Sequence, residues 1–375
     1  MATATKRSRK PQQLTTHFSS AQNQSLRRRL LAWYAKNARD LPWRKSQDPY
    51  RVWISEIMLQ QTQVATVRDY FTRFVAAYPD VQQLAAADEI DVLRLWEGLG
   101  YYRRARQLHA AAKKVVAEHA GDFPRELAAL QSLPGVGRYT AGAIASIAFD
   151  QRAPILEANT VRLFSRLIAF HGKAASAAGQ RTLWQFAEEI LPQKDVACFN
   201  QALMELGALV CTPIEPKCRV CPLARVCAAN AAGLQREIPL AKPRQTITEL
   251  REAAVIVRKN GSVLLRRCGE KERWAGLWDF PRFELEASGP LFAKGEIAKK
   301  VADQTGIACE PGALLKTLRH GVTRFRITLD CYDAAYVEGR VHSKSSADVR
   351  WLKRSSLHEL PLSTTGRKIA DLIRD

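Results

Sequence analysis

Residues 125–149 read RELAALQSLPGVGRYTAGAIASIAF, and the short hinge in their middle decides the architecture. An apolar helical stretch runs into Leu133-Pro134-Gly135-Val136-Gly137, and a second helical stretch follows at once. The two glycines allow a tight turn and a close approach to the backbone. The N–H groups of Gly135, Val136 and Gly137, with the start of the next helix behind them, form a natural seat for a phosphate. An ordinary corner between helices would carry the same residues. Charge tips the reading: 57 Lys and Arg against 37 Asp and Glu leave a net +20 over 375 residues. Such an excess points to a polyanionic partner, nucleic acid first and an anionic membrane second.

Working outward, residues 25–230 read as almost wholly helical. In QDPYRVWISEIMLQQTQV, Asp48 is a candidate N-cap and Pro49 sits at the first helical position, where its missing N–H costs nothing. DEIDVLRLWEGLG stops at Gly98 and Gly100, and YYRRARQLHAAAKKVVAEHAG closes at Gly121. After about residue 235 the period changes. AAVIVRKNGSVLLRRC is two β-rich runs joined by Asn260-Gly261, a strong hairpin signal. TRFRITLDCYDAAYV alternates at Phe325, Ile327, Leu329 and Cys331, DVRWLKR is a further strand, and TTGRKIADLIRD a closing helix. The chain is therefore expected to be multidomain: a basic flexible arm (1–24), an all-α domain (25–235), a linker (236–249) and an α+β domain (250–375).

No apolar run approaches the roughly 20 residues needed to cross a bilayer, and the start lacks the apolar core of a secretory signal. Residues 1–39 hold nine Lys or Arg and no acid, which suits either a mobile phosphate-binding arm or a mitochondrial transit segment. Four cysteines (Cys198, Cys268, Cys309, Cys331) are scattered and read as small buried hydrophobes. The other four, Cys211, Cys218, Cys221 and Cys227, crowd into CTPIEPKCRVCPLARVC. Four thiolates can hold tetrahedral zinc or a [4Fe–4S] cluster. Only the central pair has the knuckle spacing of a structural zinc site, so spacing leans mildly toward the cluster.

Two acids stand out. Glu56 lies in WISEIMLQQT among Trp53, Ile54, Ile57, Met58 and Leu59. A carboxylate there would be desolvated and suited to general-acid work, although on this stretch alone a solvated acid on the polar side of a helix is the more ordinary reading. Glu157, in ILEANTVRLFSRL, stands at a helix start, where an acid can simply cap.

These motifs together resemble the adenine DNA glycosylases of the MutY family, in the helix-hairpin-helix superfamily that includes endonuclease III. The resemblance rests on LPWR (41–44), PYRVWISEIMLQQTQVATV (49–67), LWEGLGYYRRARQLHAAA (95–112), LPGVGRYTAGAI (133–144), FNQALMELGALVC (199–211) and the four cysteines. It covers residues 25–365, most specifically in the helical half. It implies an all-α helix-hairpin-helix glycosylase domain with a [4Fe–4S] cluster on Cys211, Cys218, Cys221 and Cys227, followed by an α+β Nudix-like domain. It further implies excision of adenine opposite 8-oxoguanine or guanine, with the base flipped out of duplex DNA. By the same resemblance Glu56 is the acid that protonates adenine, and Trp43, Arg44, Leu59 and Gln201 line its pocket. Gln61, Leu99 and Tyr101 wedge into the duplex, and Tyr139 sits beside the sugar.

Three departures and substitutions bear on activity. Tyr139 stands where bifunctional relatives carry the Schiff-base lysine, which implies a monofunctional enzyme. The family's Asp-Gly-Asn is here Glu157-Ala158-Asn159, so the carboxylate that stabilises the cationic sugar sits on a longer stem. The recognition loop Phe-Ser-His is replaced by Val322-Thr323-Arg324, with the hydroxyl of Thr323 retained. GEIAKKVADQTGIACEPG is poor in the clustered acids that Nudix hydrolysis needs. Lys217, Arg219 and Arg225 make the cysteine loop basic and suited to the DNA backbone. The expected protein is a monomer acting in the bacterial cytoplasm at the nucleoid, or in a nucleus or mitochondrion. A thymine or uracil mismatch glycosylase, or a lesion-binding protein with impaired catalysis, are the competing readings.

Overall fold

The computed structural model describes residues 17–241, 246–286, 290–342 and 348–373. Helices come first: α1 (Ser20–Asn37), a single turn Pro42–Arg44, α2 (Pro49–Leu59), α3 (Val64–Ala77), α4 (Val81–Ala86), α5 (Glu89–Leu95), α6 (Arg103–His119), α7 (Leu127–Gln131), α8 (Arg138–Phe149), α9 (Ala158–Leu167), α10 (Ala177–Ile190), α11 (Val196–Leu209) and α12 (Ala228–Ala232). Strands follow: β1 (Thr248–Lys259), β2 (Ser262–Arg267), β3 (Trp278–Asp279) and β4 (Arg282–Glu284). After α13 (Pro290–Thr305) come β5 (Ile307–Val322), β6 (Phe325–Gly339), β7 (Val349–Lys353) and α14 (Thr364–Leu372). By compactness the chain divides into two units, Met1–Gln61 with Lys114–Lys242, and Thr62–Lys113 with Pro243–Asp375. The second unit thus takes in α3, α4 and α5, which the linear boundaries place with the other helices.

In the first unit the helix starts follow local chemistry. The Asp48 carboxylate accepts from the Tyr50 N–H and Pro49 opens α2. Ser19 and Gln22 form a reciprocal capping box for α1. That helix begins at Ser20, inside the segment expected to be a flexible arm; the arm's residues 1–16 lie outside the described residues. The core of this unit stacks Leu26 and Leu30 of α1 on Phe164 of α9, Phe186 of α10 and Phe199 of α11. Gly207 lets α11 touch the start of α9: a Cβ there would come within 2.7 Å of Asn159 Cβ.

The second unit is built on a seven-stranded mixed sheet with the path β3-β2-β1-β6-β5; β4 adds to β1 and β7 to β2. Asn260 and Gly261, at φ 46° and 73°, make the expected hairpin turn between β1 and β2. β1 runs parallel to β6 and is covered on both faces. Ala254 and Ile256 pack with Ile327, Leu329, Cys331 and α14. Ala253, Val255 and Val257 face the other way, onto Ile297 and Val301 of α13. A strand buried on both sides carries an unbroken apolar run rather than an alternating one. β5 was not foreseen. It lies at the sheet edge and its pairing with β6 slips at Ala308/Cys309, Pro311/Leu314 and Leu314/Lys316, so its sequence never settles into one period.

Cys268, Cys309 and Cys331 are buried as expected, but Cys198 is exposed. It occupies the outer side of α11, between the buried Ala197 and Phe199. Of the expected linker, residues 242–245 lie outside the described residues.

The close helix contact at Gly207 gives a direct test. Gly207→Ala is expected to lower the thermal unfolding midpoint, with an overpacking cost of about 1–3 kcal/mol. Gly137→Ala, where nothing lies within 4 Å of an added Cβ, should leave the midpoint near that of the native chain.

Candidate active site

Glu56 is not the solvated acid its helix alone suggests. Both flanks of α2 are covered, and the residue is 6% exposed. Its Oε2 accepts a 2.5 Å hydrogen bond from the hydroxyl of Tyr139 on α8. Burial drives its pKa up to about 7; the Tyr139 hydrogen bond and Arg44 pull against that, while the charge of Glu157 adds to it. The phenol of Tyr139 is half-buried and pushed far up, mainly by desolvation and then by Glu56, so it stays a proton donor. Its oxygen also lies 3.4 Å from Met204 Sδ.

Glu157 caps α9. One carboxylate oxygen accepts from the Asn159 N–H at 2.8 Å and the other from the Thr160 N–H at 2.9 Å. Thr160 Oγ1 returns the bond to the Glu157 N–H at 2.8 Å, completing a capping box. Burial raises the pKa of Glu157, opposed by those two N–H groups and by Arg162. The carboxylate therefore caps, and its charge also reaches Glu56, where it favours the protonated acid. Arg162 holds this corner from behind, donating to Asn159 Oδ1 (2.9 Å) and to the carbonyls of Gly207 and Cys211 (both 2.6 Å).

The rest of the wall comes from the Pro42–Arg44 turn, α1 and α11. Glu205, fully buried, receives Arg39 through two side-chain bonds (2.8 and 2.7 Å) and Arg44 at 2.9 Å. Burial alone would raise its pKa, but the two guanidiniums outweigh it and hold the carboxylate down to about 2. Arg44 stacks over Tyr34, 5.6 Å to the ring centre, and Tyr34 donates to Gln201 Oε1 at 2.9 Å. Trp43 is buried beside these residues in sequence, and Leu59 ends α2 half-buried. Tyr34, Met204, Arg162 and Glu205 were not anticipated. For Glu205 a signal existed: like Glu56, it is a lone acid in an apolar helix.

The hinge residues form the expected turn. Gly135 takes φ 77°, Gly137 is the N-cap of α8, both are exposed, and Val136 is buried between them. Gln61, exposed, takes φ 57° directly after α2. In the second unit, Tyr101 is half-exposed at φ 48° and Leu99 is buried. Thr323 is exposed at φ 54° in the two-residue turn between Val322 and Phe325.

Two of the four motif cysteines touch Arg166: Cys211 Sγ accepts from its guanidinium and Cys227 Sγ donates to its carbonyl at 3.4 Å. Arg166 is 2% exposed and donates to the carbonyls of Ile238, Thr212 and Pro213 and to Cys211 Sγ at 3.3 Å. Among the described residues no carboxylate pairs with it. Burial pushes the thiols of Cys221 and Cys227 up to about 12 and about 11. A buried guanidinium with no acid beside it, and thiols that ionise only with help, fit a group that converts cysteines to thiolates.

Residues 54–189 match the family described as HhH-GPD superfamily base excision DNA repair protein, and residues 252–372 match the NUDIX domain. The adenine DNA glycosylase of Rattus norvegicus is 35% identical across 92% of this chain and 77% of its own length. That of Homo sapiens is 34% identical across 91% and 72%. The chain belongs to the adenine DNA glycosylase family. It is an adenine DNA glycosylase of base excision repair, a DNA N-glycosylase that acts on DNA. The adenine DNA glycosylase of Buchnera aphidicola from Schizaphis graminum reaches 40% identity over 68% of this chain and 74% of that protein. Among solved structures, a thermostable thymine-DNA glycosylase superposes with TM-score 0.52 at 29% identity, covering 56% of this chain and 98% of that one. A trapped endonuclease III–DNA intermediate superposes with TM-score 0.50 at 20% identity, over 58% and 100%, and shares the helical fold.

The raised pKa of Glu56 makes two linked predictions for the glycosylase. If the protonated acid is the working form, the single-turnover rate falls as pH rises through about 7, and Glu56→Gln is inactive throughout. Burial favours the neutral carboxyl, so its stabilising contribution is complete below the ordinary glutamate range and is lost as pH rises through about 7. Relative to native, Glu56→Gln should therefore gain in melting temperature above pH 7, and thermal scans across pH check it.

Proposed function

We propose that this glycosylase removes adenine mispaired with 8-oxoguanine or guanine, as a monofunctional enzyme that leaves an abasic site. The observation that carries the mechanism is the buried Glu56, held by Tyr139 at 2.5 Å and within the field of the capped Glu157. Protonated Glu56 donates to a ring nitrogen of the flipped adenine, and the bond to the sugar breaks with its electron pair leaving on the base. Glu157, fixed at the α9 N-terminus, stabilises the positive charge left on the sugar until water adds. Asn159, held by Arg162, keeps the Glu157 corner in place. Tyr139 donates to Glu56 and offers no amine for attack on the sugar, which supports simple hydrolysis.

Trp43, Arg44, Leu59 and Gln201 line the adenine pocket in this reading. Gly135, Val136 and Gly137 grip the DNA backbone, and Gln61, Leu99 and Tyr101 enter the duplex. Thr323 meets the opposite base. Residues 25–235 then act as the glycosylase domain and 250–375 as the lesion-reading domain. Cys211, Cys218, Cys221 and Cys227 would hold a [4Fe–4S] cluster, which the buried Arg166 favours by supplying positive charge beside Cys211. The cluster, when bound, supplies structural cross-linking and net negative charge. The protein works as a monomer, wherever its cell keeps the DNA it repairs.

The test is single-turnover cleavage of duplexes carrying adenine opposite 8-oxoguanine, guanine or thymine, and thymine opposite guanine, with and without alkali. Alkali-dependent nicking at adenine, faster opposite 8-oxoguanine than opposite guanine, is expected. Nicking without alkali, or equal cutting of thymine opposite guanine, would reject it. Glu157→Gln should slow excision by about 10²-fold or more, in line with losing one fixed electrostatic partner of a transition state. Tight lesion binding by the native protein with no excision would favour the lesion-binder reading instead. Purified protein should be brown, and chelation of its iron should bleach it and lower its melting temperature; a colourless, zinc-containing protein would reject the cluster.

A further inference from the structure

The loop from Trp96 to Tyr102 carries Leu99 and Tyr101, and it is tied down on two sides. Its own helices hold the backbone: Tyr70 Oη donates to the Glu97 carbonyl (2.6 Å) and the Gly98 N–H donates to Tyr102 Oη (3.3 Å). Trp96 Nε1 and Arg104 both donate to the Gly100 carbonyl. The Glu97 side chain points to α14. Arg367 meets it as a fork, Nε to Oε1 at 2.8 Å and Nη2 to Oε2 at 2.9 Å, and the Leu362 N–H adds a third bond at 3.3 Å. The guanidinium is fixed in turn by the Leu357 and Leu360 carbonyls. With side chains only 19% and 21% exposed, this is no loose surface pair.

From α14 the polar contacts continue to the turn proposed to read the lesion. Thr365 Oγ1, in the first turn of α14, accepts from Arg282 Nη1 at 2.9 Å. Arg282 Nη2 lies 3.2 Å from His320 Nε2, and His320 stands on β5 just before the Val322-Thr323-Arg324 turn. Every link lies within the one compact unit Thr62–Lys113 with Pro243–Asp375.

We propose that Glu97 and Arg367 are positioning residues that couple the lesion-reading turn to the loop bearing Leu99 and Tyr101, so that the opposite base governs insertion into the duplex. This rests on reading Leu99 and Tyr101 as inserting residues and the 322–324 turn as facing the opposite base. A fixed loop enters the duplex in one register, and the Glu97–Arg367 fork sets that register from the β-sheet side. Without the fork the loop keeps its helical ties and the chemistry at Glu56 is untouched, but insertion is no longer set by what the turn finds.

The test places 2-aminopurine next to 8-oxoguanine in a duplex with the target adenine and follows its fluorescence, which rises when stacking opens. Glu97→Gln, Arg367→Gln, the double variant and Tyr101→Ala are compared with native full-length protein. Expected are a smaller fluorescence rise and about tenfold slower excision at subsaturating protein for each single variant, the double being no worse, as for partners in one contact. The rate at saturating protein should stay near native, and the double variant should lose no more melting temperature than either single. Arg367→Lys, which keeps the charge without the fork, should fall between. A native fluorescence rise in both single variants while Tyr101→Ala loses it overturns the coupling and keeps the insertion reading. An undiminished rise in Tyr101→Ala overturns the insertion reading itself, and the coupling with it. Equal loss at saturating protein on this duplex and on one with guanine in place of 8-oxoguanine would make the pair a scaffold and overturn the proposal.

Discussion

The site depends on the cost of taking a carboxylate out of water. Three glutamates of the first unit lie in low-dielectric surroundings, and each meets that cost differently. Glu205 keeps its charge because Arg39 and Arg44 surround it. Glu157 is pushed up by burial, but the backbone N–H groups at the start of α9 take both of its oxygens. Glu56 has one hydrogen bond from a neutral phenol and takes up a proton near neutral pH. One residue type is thereby held in three different balances of burial and compensation. The split between an acid and a neighbouring carboxylate whose environments differ is the usual basis for assigning roles in glycoside cleavage.

These balances need several helices at once, which explains what the sequence could and could not reveal. The hinge at 133–137, the start of α2 at Asp48-Pro49 and the Asn260-Gly261 hairpin are written locally, in turn chemistry and capping, and each appears where the residues place it. The burial of Glu56 is not local. Its helix is mostly apolar, yet a lone acid on it could still face solvent in isolation, and only the packing of α2 in the fold shows that Glu56 does not. Glu205 was missed for the same reason, since its partners Arg39 and Arg44 are far away along the chain. The resemblance to known glycosylases supplied what periodicity could not, and it brought with it only those residues that define the family's motifs. Residues that hold them, such as Arg162 and Tyr34, came from coordinates.

Two further gaps have separate physical causes. β5 escaped notice because an edge strand with repeated register slips has no steady alternation to detect. The grouping of α3, α4 and α5 with the β-sheet escaped because sequence order runs straight through the join. Its contacts are charged pairs such as Arg267 with Glu89 (3.0 Å) and Arg367 with Glu97, and a salt bridge between distant residues leaves no local trace.

The second unit also shows how a sheet can hold many charges that pair with one another. Glu252, 6% exposed, takes Arg273 and Arg282 at 2.6 Å each, and Arg282 lies 4.0 Å from the centre of the Trp274 ring. Asp279, 3.6 Å from Arg282, adds a second acid, so charges of both signs meet within the cluster. Replacing one member would strand the others, which makes buried pairs costly to break even where they add little net stability. It is also geometrically exact: fork-shaped guanidinium contacts accept few alternative arrangements. The same cluster reaches His320, ahead of the turn in which Thr323, a β-branched residue, is held at φ 54°. A left-handed conformation at such a residue costs on the order of 1–3 kcal/mol and persists only where its surroundings over-determine it. The β5–β6 ladder supplies constraint on both sides of the turn, through the pair Val322 and Phe325 that closes it.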